Sequence, residues 1–140
     1  MSEMSETDIR MKIINGVKRV LVSYEKAELL AGQLAAAYDY ENCRAKNELM
    51  HARYDVCCAK MECAMELQDV KPSTAQLETL LAATAKVSQL EGYVAFVSKE
   101  LAEKEELYLE KTALTYEAAF QLKCEEEALK RCVSAAASDQ

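Results

Sequence analysis

The stretch LQDVKPSTAQLETLL, residues 67–81, contains the only proline of the chain and decides the fold. A proline excludes helical backbone for the residue before it, so a helix arriving from upstream ends before Pro72. Ser73 is a favoured N-cap residue, and Gln76 lies three residues later, which completes a capping box. One helix therefore ends and another begins here, and so short a connection makes the two helices antiparallel neighbours.

Outside this stretch the sequence offers few places to turn. The 140 residues include 3 glycines and no tryptophan, and the abundant Ala, Glu, Leu and Lys all favour helix. Ser5 or Thr7 is a candidate cap for the first helix. We predict an all-α chain forming a single helical domain over 1–140, with these parts: a first helix over about 8–68, a turn at 69–72, a second helix over about 73–133 and a frayed tail at 134–140.

The first helix carries a heptad repeat, whose positions are named a to g. With Leu49 at position a, the a series is Ile14, Leu21, Glu28, Ala35, Asn42, Leu49, Val56 and Cys63. The d series is Val17, Tyr24, Ala31, Tyr38, Ala45, Ala52 and Ala59. So sustained an apolar series predicts an elongated, coiled-coil-like antiparallel helical hairpin. The polar Asn42 either fixes the register within the core or marks a local kink with solvent contact.

The apolar face widens at the end of the hairpin away from the turn. In the first helix, position g is apolar up to Leu34 and acidic from Glu41 onwards. In the second helix one seam comes first: Leu80, Ala83, Val87, Leu90, Val94, Val97 and Leu101. After the charged segment KELAEKEE two stripes follow: Leu107, Leu114, Ala118, Leu122 and Leu129 in one, and Leu109, Ala113, Tyr116, Phe120 and Cys124 in the other.

Two helices alone cannot bury both widened faces, so the sequence predicts self-association into a helical bundle or ring. The alternative is that the second helix breaks near Gly92 or residues 103–106 and folds back within one chain. The candidate residues of the oligomer interface are Ile13, Val20, Leu34, Leu107, Leu114, Tyr116, Phe120 and Leu122.

The segment KNELMHARYDVCCAK, residues 46–60, raises the question of metal or redox chemistry. Four residues of types that ligate transition metals fall on one stripe of the helix: His51, Asp55, Cys58 and Glu62. One helix easily supplies only two ligands, and the sequence has no second histidine. The six cysteines lie within helical patterns, so we expect reduced thiols, and we expect neither a metal nor a cofactor. Without a recognisable catalytic motif, we expect no catalytic residues and no enzymatic activity.

A basic strip on the first helix is the candidate nucleic-acid site. Lys46, Arg53 and Lys60 recur every seven residues, next to Tyr40 and Tyr54. Cations that follow a phosphate backbone, beside rings on which bases stack, are typical of grooves for single-stranded nucleic acid. The alternative is that these residues are flank charges of a coiled coil. The net charge of −7 argues against a protein that simply coats nucleic acid.

We favour a non-enzymatic oligomeric interaction protein, an adaptor, scaffold or inhibitor whose partners are itself and a larger protein. An acidic helical surface can block a basic nucleic-acid-binding cleft, although its charges are equally typical of a solvated face. A third hypothesis is a helical partner in a secretion or phage-structural assembly. No apolar run approaches the roughly 20 residues that cross a bilayer, and the N-terminus lacks a signal-peptide pattern. We therefore expect a cytoplasmic location and no membrane partner.

The segment TAQLETLLAATAKVSQLEGYVAF, residues 74–96, follows a long helix rich in Lys, Arg, Tyr and Ala. In this pattern the chain resembles the helical recombination-mediator proteins of T4-like phages. The resemblance covers about half of the chain and implies oligomeric rings that help to load a recombinase onto single-stranded DNA. It carries no individual residue over, and this acidic chain departs from the family's basic character. The resemblance makes a recombination accessory protein the alternative function.

Overall fold

The computed structural model describes residues 4–66 and 71–138. Two helices account for nearly all of them, α1 over Glu6–Glu66 and α2 over Thr74–Ser138, and no strand occurs in these ranges. The two helices pack against each other as an all-α hairpin. The predicted hairpin is therefore confirmed.

Capping side chains fix where both helices begin. The hydroxyl of Ser5 accepts a hydrogen bond from the backbone N–H of Asp8 at 3.1 Å, so Ser5 caps α1. At the start of α2, the Ser73 hydroxyl accepts from the N–H of Gln76 at 3.2 Å. The Gln76 side chain accepts from the N–H of Ser73 at 2.8 Å, so the predicted capping box is confirmed. Residues 67–70 lie outside the described residues, and they include the first half of the predicted turn at 69–72.

The prediction of a frayed tail from residue 134 is wrong for residues 134–138, because α2 continues to Ser138. The three consecutive alanines after Ser134 have the highest helix propensity and extend the helix beyond its apolar seam. The fold-back alternative is also contradicted, since α2 runs without interruption through Gly92 and residues 103–106. A glycine within a helix costs about 1 kcal/mol, which the remaining helix tolerates.

The heptad register predicted for α1 is confirmed by burial. Every residue of the a and d series is buried or half-buried, and we call this set, with its counterpart on α2, the inner seam. Ala45 is completely buried at position d, which lets α2 approach closely. Asn42 is 6% exposed and its side-chain oxygen accepts a hydrogen bond from the Ser98 hydroxyl at 2.9 Å. Asn42 is therefore a core residue without a kink or solvent contact, and its role in fixing the register stays a prediction.

The inner seam of α2 is confirmed as far as Leu101, beyond which the predicted stripe is partly wrong. The seam continues with steps of three and four residues through Lys104, Tyr108, Lys111, Thr115, Ala118, Leu122, Glu125, Leu129 and Cys132. Leu107 and Leu114 lie one position beside this seam. With Leu101 at position a of α2, both leucines occupy position g. Long side chains such as Lys111 bury their aliphatic stems while the charged group reaches water.

Contacts divide the chain into two compact units, each containing part of both helices. Unit 1 consists of Met1–Leu34 and Glu105–Gln140. Within it, Thr7 Oγ1 lies 3.5 Å from Cys132 Sγ. Nearer the other end of the unit, Thr112 donates a hydrogen bond to Glu28 at 3.5 Å. Low residue numbers on α1 thus pair with high numbers on α2, which is antiparallel packing.

Unit 2 consists of Ala35–Lys104 and has the more regular inner seam. Ala45, Ala52 and Leu49 of α1 are all buried in this unit. On α2, Val97 is 2% exposed. The Lys104 ammonium lies 5.8 Å from the centre of the Tyr38 ring, a cation–π contact that covers the ring.

We predict that Ala45→Leu destabilises the protein by about 1–3 kcal/mol, because the added side chain has no space in a closely packed seam. Ala37→Leu is the matched control, since Ala37 is exposed on the same helix and the helix propensities are alike. Urea unfolding followed by circular dichroism gives both free energies of unfolding. Equal stability of the two variants would show that the alanines do not set the distance between the helices.

Candidate functional site

A second apolar stripe on α1 lies uncovered in unit 1. Its residues follow the heptad steps of four and three at positions c and g, and we call it the outer seam. Its members are Ile9, Ile13, Gly16, Val20, Ser23, Ala27, Leu30 and Leu34. The five large side chains among them are 42–65% exposed. A helix with two such seams is typical of a helix that packs on two partners, and α2 covers only one of them.

Two leucines of α2 extend the outer seam sideways. Thr112 at position e of α2 contacts Glu28, so the e positions of both helices lie on one side of unit 1. The g positions lie on the opposite side, where Leu107 and Leu114 of α2 therefore flank the outer seam of α1. Leu107 is 36% exposed and Leu114 is half-buried. The outer seam and these two leucines form one continuous apolar surface, which we call the docking face.

The structure separates the eight predicted interface residues into three groups. Five of them belong to the docking face: Ile13, Val20, Leu34, Leu107 and Leu114. Tyr116 and Phe120 are exposed but occupy other heptad positions, away from that face. Leu122 is half-buried in the inner seam and serves the contact between α1 and α2.

A further group of exposed apolar side chains occurs in unit 1 at positions b and f. Its members are Val22, Leu29, Leu109, Tyr116 and Phe120, which are 51–74% exposed. The backbone of Gly32, on the e side of α1, leaves room for a neighbouring ring, because a Cβ there would lie 2.9 Å from Cε2 of Tyr108. Unit 1 thus exposes apolar side chains on more than the docking face.

In unit 2 the same c and g positions carry charge instead of apolar side chains. Glu41 accepts hydrogen bonds from Arg44 Nε at 2.9 Å and from the Tyr93 hydroxyl at 2.6 Å. Arg44 also pairs with Glu48. The Arg44 guanidinium, followed by the Tyr93 hydroxyl, lowers the pKa of Glu41 to about 2. The Glu41 carboxylate in turn raises the pKa values of both Arg44 and Tyr93.

The histidine stripe continues this charged series along α1. His51, Asp55 and Glu62 are exposed, and Cys58 is half-buried. Within residues 4–66 and 71–138, no three His, Cys, Asp or Glu side chains come together as metal ligands. All six cysteines belong to these ranges and are free thiols. Cys63 is buried, Cys58 and Cys132 are half-buried, and the other three are exposed.

The structure places the five candidate nucleic-acid residues on the surface of unit 2. Tyr40 and Tyr54 are exposed, as are Lys46, Arg53 and Lys60. Of these five residues, Arg53 and Lys60 line an open groove of about 400 Å³. The other residues that line the groove are Val56, Cys57, Thr84 and Val87.

Ion pairing reduces the free charge of the groove. The Arg53 guanidinium lies 3.3 Å from the Glu91 carboxylate of α2, which is the flank pairing expected of a coiled coil. A hydrogen bond with Cys58 raises the pKa of the Tyr54 hydroxyl. Lys60 contributes an uncompensated charge at the groove, as no ion pair joins it to any described residue.

Half of the outer seam, the residues at position c, was not predicted from the sequence. The predicted interface followed position g, whose residues change from apolar to acidic, but Ile9 and Leu30 belong to position c. The signal was present in the sequence as alternating steps of three and four between columns c and g, and this is the same pattern that revealed the inner seam.

No protein-family model, curated protein or solved structure matches this chain. None of the described helical segments is long and apolar enough to cross a membrane. A functional proposal for this chain therefore rests on the exposed apolar and charged surfaces of the two units.

We predict that Arg44→Gln raises the pKa of Glu41 from about 2 towards its ordinary value of 4.5, because Arg44 is the larger cause of the shift. Tyr93→Phe should raise it less. In the wild-type protein, the stabilisation from this carboxylate is fully present above about pH 4.5 and is lost as the pH falls towards 2. Carboxyl NMR titration measures the midpoint of Glu41 in the wild-type protein and in each of the two variants. A wild-type midpoint near 4.5 would mean that the cluster does not form in solution.

Proposed function

We propose that this chain is a non-enzymatic, self-associating helical interaction protein that acts as an adaptor, scaffold or inhibitor of a larger protein. The observation that carries the proposal is the outer seam, a complete heptad seam without a partner in unit 1. An exposed apolar stripe with coiled-coil spacing is suited to packing against another helix. Self-association in turn builds a multivalent surface, which is what a scaffold presents to its partners.

The exposed apolar area is comparable with what association requires. Burying the exposed half of one large apolar side chain contributes about 1 kcal/mol. Six such side chains are available: Ile9, Ile13, Val20, Leu30, Leu34 and Leu107. Two copies together would gain on the order of 12 kcal/mol, against a cost of about 4–15 kcal/mol for the lost freedom of two molecules. The gain lies within the range of the cost, so polar groups at the edges of the face decide the affinity.

The second exposed group supports a role in binding a larger protein. Tyr116 is 74% exposed and Phe120 is 61% exposed, and neither lies on the docking face. Large aromatic side chains are the most frequent anchors of protein interfaces. These residues stay available after self-association through the docking face, so one molecule can carry both contacts.

We expect Leu34→Glu combined with Leu114→Glu to give monomers or aggregates in native mass spectrometry, because charges at the docking face are costly to bury. Leu30→Glu tests the same face without touching a half-buried residue, since Leu30 is 65% exposed. Circular dichroism checks that the variants remain helical. Matched charge changes in unit 2, at Glu48 or Asp55, should leave the mass of the assembly unchanged. Wild-type mass for both docking-face variants would refute self-association through this face.

A recombination accessory role on single-stranded DNA is the second candidate function, and the groove beside Arg53 and Lys60 is the observation that favours it. Cations next to an apolar floor and exposed tyrosines suit a bound strand. In an assembly of several copies, these short basic strips would be multiplied. The ion pair between Arg53 and Glu91 reduces the charge at each copy.

Replacing Lys46, Arg53 and Lys60 together by alanine should abolish salt-dependent binding of a single-stranded oligonucleotide. The physical reason is that released counterions drive such binding, with a slope of about −0.7 per phosphate contact for single strands. Fluorescence anisotropy of a labelled oligonucleotide over a series of salt concentrations measures this salt dependence. Lys18, Lys99 and Lys123 are exposed lysines outside the groove and the docking face, and changing them together to alanine gives a control with the same loss of charge. Binding that survives the first triple substitution would place the site elsewhere, and no binding by the wild-type protein would remove this candidate function.

A further inference from the structure

We propose that the docking face binds a second copy of this chain across a two-fold axis parallel to the helices, so that α1 of each copy lies against α2 of the other. The proposal rests on the self-association proposed above and specifies its partner and orientation. It places residues 9–34 and 105–130 of two chains in a four-helix bundle.

The docking face has a basic edge on α1. Position f, which borders the outer seam on the side away from α2, is occupied by Lys12, Arg19 and Lys26. All three side chains are exposed. Arg19 Nε donates to the backbone oxygen of Asn15 at 3.3 Å, which leaves its charge without an acidic partner among the described residues. In coiled coils, charges that border a seam pair with the facing helix and set its orientation.

The opposite edge of the docking face is acidic. Position c of α2 borders Leu107 and Leu114 on the side away from α1, and it is occupied by Glu110, Glu117 and Cys124 up to residue 130 and by Arg131 beyond it. Both glutamates are exposed, and neither forms an ion pair with a described residue. The docking face thus has apolar residues in the middle, positive charge along one edge and, at Glu110 and Glu117, negative charge along the other.

This arrangement of charge selects one of the two possible symmetric pairings. If the two-fold axis ran across the helices, α1 would face α1 of the second copy, and like charges would oppose each other along both edges. If the axis runs parallel to the helices, the basic edge of each copy faces the acidic edge of the other. Opposed like charges at an interface are strongly unfavourable, so complementarity favours the parallel axis.

The charges also overlap in height along the helices. Residues that face each other across unit 1 are Thr7 with Cys132 and Glu28 with Thr112. Interpolation between these pairs places Glu117 between the levels of Arg19 and Lys26, and the same spacing places Glu110 about one helical turn beyond Lys26. An axis parallel to the helices preserves height, so the same levels meet between copies. Arg19 with Glu117 of the second copy, and Lys26 with its Glu110, are therefore each offset by about one turn, which long side chains can span, twice in each dimer.

Charge reversal on one edge at a time tests the orientation. We expect Arg19→Glu with Lys26→Glu to weaken self-association on the order of 100-fold, because four attractive pairs per dimer become repulsive. Glu110→Lys with Glu117→Lys should weaken it to a similar degree. The matched controls are in unit 2: Lys46→Glu with Lys60→Glu for the first variant, and Glu48→Lys with Asp55→Lys for the second. Both controls should associate as the wild-type protein does.

Mixing the two reversed variants provides the decisive result. In the mixed dimer, glutamates of one chain face lysines of the other along one edge, and the original charges meet along the other edge. Native mass spectrometry with one variant labelled with ¹⁵N should therefore show mixed dimers at wild-type affinity, while each variant alone stays monomeric. Reversed variants that dimerise normally, or a mixture that remains monomeric, would overturn the orientation.

Cross-linking of the wild-type protein gives an independent readout. A carbodiimide joins an amine directly to a neighbouring carboxylate, so a mixture of ¹⁴N and ¹⁵N chains should give a cross-link between Lys26 of one chain and Glu110 of another. Cross-links of Lys26 to acidic residues of α1 in the other chain would instead support the rejected pairing. An assembly with an odd number of copies would exclude the two-fold axis. A monomeric wild-type protein would refute the proposed self-association itself, which distinguishes the two failures.

Discussion

Close packing of two helices through small side chains is the constraint on which the rest of the structure depends. The alanines at position d of α1, such as Ala45 and Ala52, let α2 approach, but each of them buries little apolar area. Within the described residues, Val97 is the largest side chain that is completely buried. A hairpin held in this way gains little free energy per residue from its core, which also contains the hydrogen-bonded polar pair of Asn42 and Ser98. Apolar side chains outside the inner seam are then available for other contacts.

The extent of those contacts is encoded in two heptad columns of α1. Columns c and g are apolar from Ile9 to Leu34 and carry charge from Glu41 onwards. The charged part includes the Glu41–Arg44 pair, and it continues through His51 and its neighbours. A helix docking on the outer seam would have to desolvate these charges if it slid towards unit 2, which limits where a partner helix can pack. The histidine stripe that suggests a metal site is thus explained as the polar continuation of the outer seam.

The sequence was sufficient for most of the fold because its two strongest signals are local. Pro72 with the Ser73 capping box marks where the second helix starts, and the 3.5-residue period marks which residues of α1 face α2. Two predictions about α2 are wrong, for different physical reasons. Beyond Leu101 the seam includes Lys104 and Lys111, whose long side chains are partly buried, so apolar residues alone do not mark the register there. Residues 134–138 are helical because helix propensity alone carries α2 to Ser138.

The candidate surface was harder to predict than the fold, because it depends on which seam α2 covers. Both seams of α1 have coiled-coil spacing. The a and d residues recur along the whole helix and are predicted to face α2, but only the structure shows that α2 leaves the large side chains at positions c and g of unit 1 exposed. The charged edges can be recognised only when this exposed face is known, because Arg19 and Glu117 belong to different helices and border the same face.

The inner seam of unit 1 gives the proposed association a further physical basis. Arg10 and Glu125 both occupy position d, and their charged groups are 3.8 Å apart without a hydrogen bond. One carboxylate oxygen of Glu125 is buried and has no hydrogen-bond partner among the described groups. Partly buried charges of this kind lower the stability of a helix pair relative to an apolar seam. In the proposed assembly, covering the docking face would add apolar burial to this part of the hairpin, and association would then be thermodynamically linked to the folding of unit 1.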